Sequence, residues 1–303
     1  MRALLPGLVC CALLVAAAPA AAAGPRRCGD DVGGRAVPCD CGDVLIGSRT
    51  LGADDPITSR VCPGGGLLVA VSTGAPAARL ALGGHVLAGS GRGVGIQVVG
   101  GGAGGLTIAG PGGVRGFATG IQAVNGTLAR LADVVAADNA TDGFVLAGEG
   151  FALLGSEASH NGRDGFVLRG HRYRVERNRA LANGRHGFVA RGREAAIGGE
   201  AGNEAAGNGR EGFRVCGQGH DVAHAVATAN GGDGVRARLS DGRIAGSLTA
   251  SNRGRGVRAA GHDLALGDNQ ARDNGGGLDV HGARVRDDGG NHAERCRVGG
   301  ACR

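Results

Sequence analysis

The sequence has no tryptophan and no lysine, and aromatic residues make up only 2% of its 303 positions. A chain so poor in large side chains cannot fill the wide interior of an ordinary globular domain. It also lacks the stacking platforms on which single-stranded nucleic acids and sugar rings are held. All 33 basic residues are arginine and the formal net charge is +6, but without interleaved aromatics this balance does not indicate a nucleic-acid groove. The one methionine is Met1, which removes the thioether ligands a copper site would want. Past the first two dozen residues no run approaches the ~18–20 apolar residues that span a bilayer. Neither a Gly-x-Ser-x-Gly elbow nor a phosphate-binding loop is present; Gly100 to Gly105 reads as a corner, since no helix signal follows it.

What is abundant is glycine, 64 residues, which suits a narrow, layered interior. Met1 to Ala23 reads as a secretory signal: Arg2, an apolar stretch from Leu4 to Ala18, and small residues before Gly24. The expected location is therefore secreted or periplasmic. Seven cysteines follow the signal, six of them near the ends: Cys28, Cys39, Cys41, Cys62, Cys296 and Cys302. In an exported chain that distribution reads as stapled termini, with Cys28–Cys39, Cys41–Cys62 and Cys296–Cys302 as the expected pairs. Cys216 is left over in the middle, at an outward strand position beside Arg214.

The chain repeats. A glycine followed by an apolar residue recurs at Gly95-Ile96, Gly120-Ile121, Gly143-Phe144, Gly165-Phe166, Gly187-Phe188, Gly212-Phe213, Gly234-Val235, Gly256-Val257 and Gly277-Leu278, at intervals of 21 to 25 residues. Each opens a period-2 segment, such as Phe166-x-Leu168, the mark of a strand with one face inward. A glycine five residues after the anchor, for example Gly148, Gly170, Gly192 or Gly261, is read as a corner. A second short strand follows, carrying Phe151 and Leu153, or Tyr173 and Val175. Four residues before six of the anchors, and three before Gly277, stands an asparagine: Asn139, Asn161, Asn183, Asn208, Asn230, Asn252 and Asn274. Stacked coils would bring these amides together as a ladder, at a corner whose left-handed bend asparagine tolerates. An inward small column (Ala136, Ala158, Ala180, Ala205, Ala227, Thr249, Ala271) and a partial second polar stack (Ser156, Asn178, Asn203, Ser247, Asn269) accompany it.

This Asn-x-x-x-Gly-apolar-x-apolar coil resembles the repeat of the right-handed parallel β-helices of the pectin-lyase-like superfamily, in their bacterial exported form. The implied fold is all-β: a three-sided solenoid with coils of about 22 residues and disulfide-stapled caps. The expected layout is a signal over 1–23, a Cys-rich N-terminal cap over 24–65, the β-helix over 66–285 and a C-terminal cap over 286–303. The resemblance does not specify an activity, because the scaffold serves lyases, hydrolases, epimerases and adhesins alike.

On the outward side, the residue before each anchor glycine is Asp142, Asp164, His186, Glu211 or Asp233 in successive coils. Asp164, His186 and Glu211 are the candidate catalytic or metal-holding set, and calcium is the ion such oxygen ligands suit, although no motif demands a cofactor. Asp before Gly is equally a turn preference. Beside this column, Arg169, Arg191, Arg214, Arg236 and Arg258 would form a band able to grip carboxylates bidentately. The band is expected to alternate between two outward positions. The histidines are dispersed; only His171 and His262 share a phase. Against the enzymes of the resemblance, no Asp-Pro-His motif and no adjacent aspartate pair on a strand occurs; Asp54-Asp55 and Asp287-Asp288 fall in the expected caps and read as turns. The leading expectation is a non-catalytic exported module, structural or glycan-interacting, with an anionic polysaccharide as partner, no nucleic acid, and no membrane span once the signal is removed. The alternative is a polysaccharide lyase, hydrolase or epimerase using the acidic and arginine columns.

Overall fold

The computed structural model describes residues 25–71, 77–100, 105–124 and 128–297; the expected signal lies outside them. The chain winds through three parallel sheets: sheet A with 13 strands, and sheets B and C with 11 each. In each coil the chain passes from A to B to C and then re-enters A one step along the axis, as in the coil Phe166–His171, Arg174–Glu176 and Arg179–Leu181. This is the three-sided parallel β-helix the repeat implies. Among the described residues no helix is long and apolar enough to cross a membrane.

Register follows the anchors without slippage. Phe144, Phe166, Phe188, Phe213, Val235, Val257 and Leu278 are consecutive partners in sheet A. The four phenylalanines stack face to face inside the rod, with centroids 4.8, 4.7 and 4.8 Å apart, the strand spacing transmitted to the rings. Phe151 and Tyr173 form a second stack at 4.9 Å under sheet B. The interior is thus filled by columns of like residues, and so few aromatics suffice.

The asparagine ladder is present as expected. From Asn139 to Asn274 each Nδ2 donates to the next Oδ1 at 2.8–2.9 Å. The same Oδ1 accepts the backbone N–H of the preceding ladder residue, and from Asn161 onward Nδ2 also reaches a carbonyl of the small column, as Asn183 Nδ2 does to Ala158 at 3.0 Å. Buried amides are thereby satisfied at every coil. The second stack runs on through Asn291, which accepts from Asn269 at 2.9 Å. The ladder also explains the anchor glycines: a Cβ on Gly143 would meet Asn161 Nδ2 at 2.8 Å and the Gly165 carbonyl at 2.7 Å.

Two corner assignments are corrected. The left-handed residue at the ladder corner is the one before the asparagine: Asp138, His160, Ala182, Gly207, Ala229, Ser251 and Asp273 have φ of 51° to 66°. The asparagines themselves are not left-handed, because their role is to bond along the axis. Likewise Gly170, Gly192 and Gly261 lie within strands of sheet A. Their φ of 130° to 153° and the preceding carbonyl, 1.7 Å from where a Cβ would stand, require glycine there. The bend comes two residues later, at Arg172, Glu194 or Asp263.

The sheets continue through both expected caps: Arg27–Cys28 pairs with Val44–Ile46, which pairs with Leu67–Ala70, and Cys296–Arg297 pairs with the last long strand. Cys28–Cys39 and Cys41–Cys62 are bridged. Cys296 is disulfide-bonded, and its expected partner Cys302 lies outside the described residues. Asp55, expected in a turn, is fully buried and accepts hydrogen bonds from the Cys39 and Gly52 N–H groups and from Arg49. A buried ion pair therefore locks the N-terminal bridges together.

Candidate functional site

The outer face of sheet A carries two files of side chains, because alternate residues of each strand point to water. One file runs Gln97, Gln122, Val145, Val167, Val189, Arg214, Arg236, Arg258, Asp279; the other runs Ala147, Arg169, Arg191, Cys216, Arg238, Ala260, His281. The expected arginine band is real, but it does not alternate. Arg169 and Arg191 hold one file, and the band then steps once to Arg214, Arg236 and Arg258 in the other. Cys216 is a half-buried free thiol between Arg191 and Arg238.

Asp164, His186 and Glu211 are brought together at the edge of this face. His186 Nδ1 donates to Asp164 Oδ1 at 2.7 Å, and the Asp164 oxygen also accepts the His186 backbone N–H at 3.1 Å. On the other side His186 Nε2 lies 2.9 Å from Glu211 Oε2, an ion-pair contact too poorly aligned to be a hydrogen bond, and Glu211 Oε1 accepts from Arg236 at 3.0 Å. The His186 side chain is 2% exposed. Burial pushes the imidazole pKa down, but the flanking carboxylates override it and hold it above the ordinary histidine value. Burial pushes Asp164 up, yet the bonds from His186 and the nearby Arg185 keep it below the usual carboxylate range. The imidazolium, against burial and with Arg236 assisting, lowers Glu211 to about 2. The three residues form a buried, alternating stack of charges in which each ring nitrogen of His186 faces a carboxylate. Asp142 and Asp233 continue the column by accepting the backbone N–H groups of Asp164 and Arg255.

A second arginine column, on the corner side, was not visible in the sequence pattern: Arg163, Arg185 and Arg210 precede the acidic column residue in three successive coils. Arg163 and Arg185 approach Asp142 and Asp164 only at 3.9 and 4.0 Å. Arg185 Nε is buried without a hydrogen-bond partner. Between the two arginine columns opens a groove of about 280 Å³ with Val145, Val167 and Val189 in its lining. Arg163, Arg185, Arg169, Arg191 and Arg214 line it against two carboxylates, those of Asp142 and Asp164. Among the described residues Arg169, Arg191 and Arg214 have no carboxylate partner. Arg236 is held by Glu211 and does not line the groove; Arg258 lies two coils beyond Arg214. The groove therefore offers five guanidinium groups, three exposed and two half-buried, beside an apolar strip, chemistry that fits a ligand bearing carboxylates or sulfates on a ring with an apolar face.

The other histidines stand apart from it. His220 is buried; its Nδ1 accepts the Ala195 N–H at 3.1 Å, which fixes a neutral ring with Nε2–H facing the Cys216 carbonyl. Asp241, His262 and Asp263 cluster on the surface, but Arg284 already takes both oxygens of Asp263.

The fold and this groove define a three-sheet parallel β-helix with a cationic outer face. No family model matches the sequence, and no curated protein matches it. Among solved structures, the periplasmic alginate epimerase AlgG is similar over 80% of this chain and 84% of its own, at 14% identity and a TM-score of 0.46. The A-module of the mannuronan C-5 epimerase AlgE6 from Azotobacter vinelandii is similar over 84% of this chain and 91% of its own, at 13% identity and a TM-score of 0.48. The catalytic unit of a GH87 α-1,3-glucanase from Streptomyces thermodiastaticus is similar over 84% and 64%, at 12% identity and a TM-score of 0.36. Likenesses this remote transfer no residue role to this chain.

Proposed function

We propose that this protein is an exported β-helix that binds an acidic polysaccharide along the outer face of sheet A without cleaving it. The observation that carries the reading is the valine-lined groove with five arginines, three of them without a carboxylate partner among the described residues. The two disulfides support export to an oxidising compartment, where acidic glycans of envelopes and matrices are found. Binding rather than catalysis is favoured by the state of His186. Both its nitrogens face carboxylates and it is almost fully covered, so it has no free lone pair with which to take a proton from a ligand.

A second reading uses the same groove. Arginines beside a carboxylate–imidazole pair are the equipment for abstracting a proton next to a uronate carboxyl, which would make the protein a lyase or epimerase. One experiment addresses both. Titrating polygalacturonate and alginate into the wild type in low salt should show modest binding that weakens as salt rises, since exposed ion pairs contribute only about 0–1 kcal/mol each. The Arg169→Ala/Arg191→Ala/Arg214→Ala variant should lose that binding while melting like the wild type. No wild-type binding would sink the proposal; unsaturated, ultraviolet-absorbing products or a changed uronate epimer ratio would replace it with the enzymatic reading.

A further inference from the structure

A second cavity, of about 530 Å³, opens at the C-terminal end of sheet A. Four arginines line it: Arg253, Arg255, Arg295 and Arg297, with Asp279 the one carboxylate among its described lining residues. Arg255 Nε pairs with Asp279 Oδ2 at 2.7 Å. Among the described residues Arg253, Arg295 and Arg297 pair with no carboxylate, and all three are exposed. The other oxygen of Asp279 is buried; it lies 2.8 Å from His281 Nε2 without an aligned hydrogen bond.

The column that is acidic lower down the rod changes sign here. Arg255 stands, one coil on, where Asp142, Asp164, Glu211 and Asp233 stood, and in the next coil Gly276 takes the place and opens the cavity. Concentrating unpaired like charges is unfavourable unless an anion offsets it. Between this cavity and the groove, the intervening strands present Arg236, Arg238 and Arg258 outward. From the strand of Arg191 to that of Gly276 is four coils, about 19 Å at the usual strand spacing.

We propose that the end cavity is a second anion subsite, so that the ligand is an extended acidic polymer lying along the rod and held at two places, not a monosaccharide or a free small anion. This inference rests on the groove reading and specifies its ligand. Two sites joined by one chain bind cooperatively through effective concentration, a gain of roughly 10²–10⁴ over either alone when the linker reaches.

Calorimetric titration in low salt with digalacturonate, and with oligogalacturonates long enough to span both cavities, tests this in the full chain. The wild type should bind the long oligomers at least about 10²-fold more tightly than the dimer. Arg253→Ala/Arg297→Ala, at exposed positions that folding does not need, should abolish that gain and leave the affinity of the groove for the dimer unchanged. Equal affinity for dimer and long oligomer, or a length gain that survives in the double variant, would overturn the second subsite while leaving the groove reading intact. Binding of neither ligand by the wild type would overturn both.

Discussion

The first coils and the later coils of this rod solve the same stacking problem with different side chains. Before Asn139 the anchor column inside sheet A is Leu67, Ile96 and Ile121, and the outward file beside it is Leu68, Gln97 and Gln122. From Phe144 to Phe213 the anchors are stacked phenylalanines, the corner carries the asparagine ladder, and the outward files turn to arginine from Arg169. Among the described residues the N-terminal coils hold together without ladder or ring stack, with two disulfides and the buried Arg49–Asp55 pair instead. The difference separates scaffold from function. Parallel stacking of sheet A does not need charge on its outer face, because the strands presenting Val44, Leu68, Gln97 and Gln122 pair in the same register with none there. The arginines of the later coils therefore call for an explanation outside the fold.

The largest expected effect lies inside the later coils. Phe188→Ala removes one of the two inner rings of the stack and should cost about 3–5 kcal/mol, measured by denaturant melts. A loss under about 1 kcal/mol would mean that the rings are not a cooperative column and that the two halves differ only in composition. Next, Asn183→Ala takes the acceptor from the Asn161 backbone N–H and a donor from the Ala158 carbonyl and should cost about 1–3 kcal/mol. Gln97→Ala, outward in the early coils, should stay within about ±0.5 kcal/mol. Equal, negligible losses would mean that the ladder is ornamental.

The smallest effect is a pH dependence confined to the later coils. The folded pKa of His186 is raised, so its share of stability is complete below the ordinary histidine value and is lost as pH climbs through the raised one. Glu211 and Asp164 are lowered, so theirs is present above the ordinary carboxylate range and fades as pH falls toward about 2. The charge stack thus stabilises most between those limits. Melting temperature followed across pH should show an alkaline decline in the wild type that His186→Gln lacks. Parallel curves for the two proteins would show that His186 is not an imidazolium in the fold.

Most of the scaffold was legible because a solenoid repeats its constraints. Each inward position recurs once per coil, so anchor, small column and ladder could be phased from residue numbers alone. Asp164, His186 and Glu211 could be placed in one column by the same count. Their bonding could not, because whether adjacent rings and carboxylates meet or turn to solvent depends on rotamers and burial. The corner arginines Arg163, Arg185 and Arg210 were missed because in neighbouring coils their column holds threonine or glycine, which hides the run. Gly170 was misplaced into a corner because glycine marks tight carbonyl contacts within strands as well as turns.

The sequence by itself determined the coil, its period, which face looks inward and which cysteines sit at the ends, since these follow from side-chain alternation and spacing along one chain. Only the tertiary structure decided the rest. That His186 is held between two carboxylates, that the arginine band steps from one file to the other at Arg214, and that Arg253 and Arg297 meet across one cavity all depend on coil-to-coil register. Residues about 22 positions apart become neighbours at strand spacing, and the charge each one meets there is set by the coils above and below it.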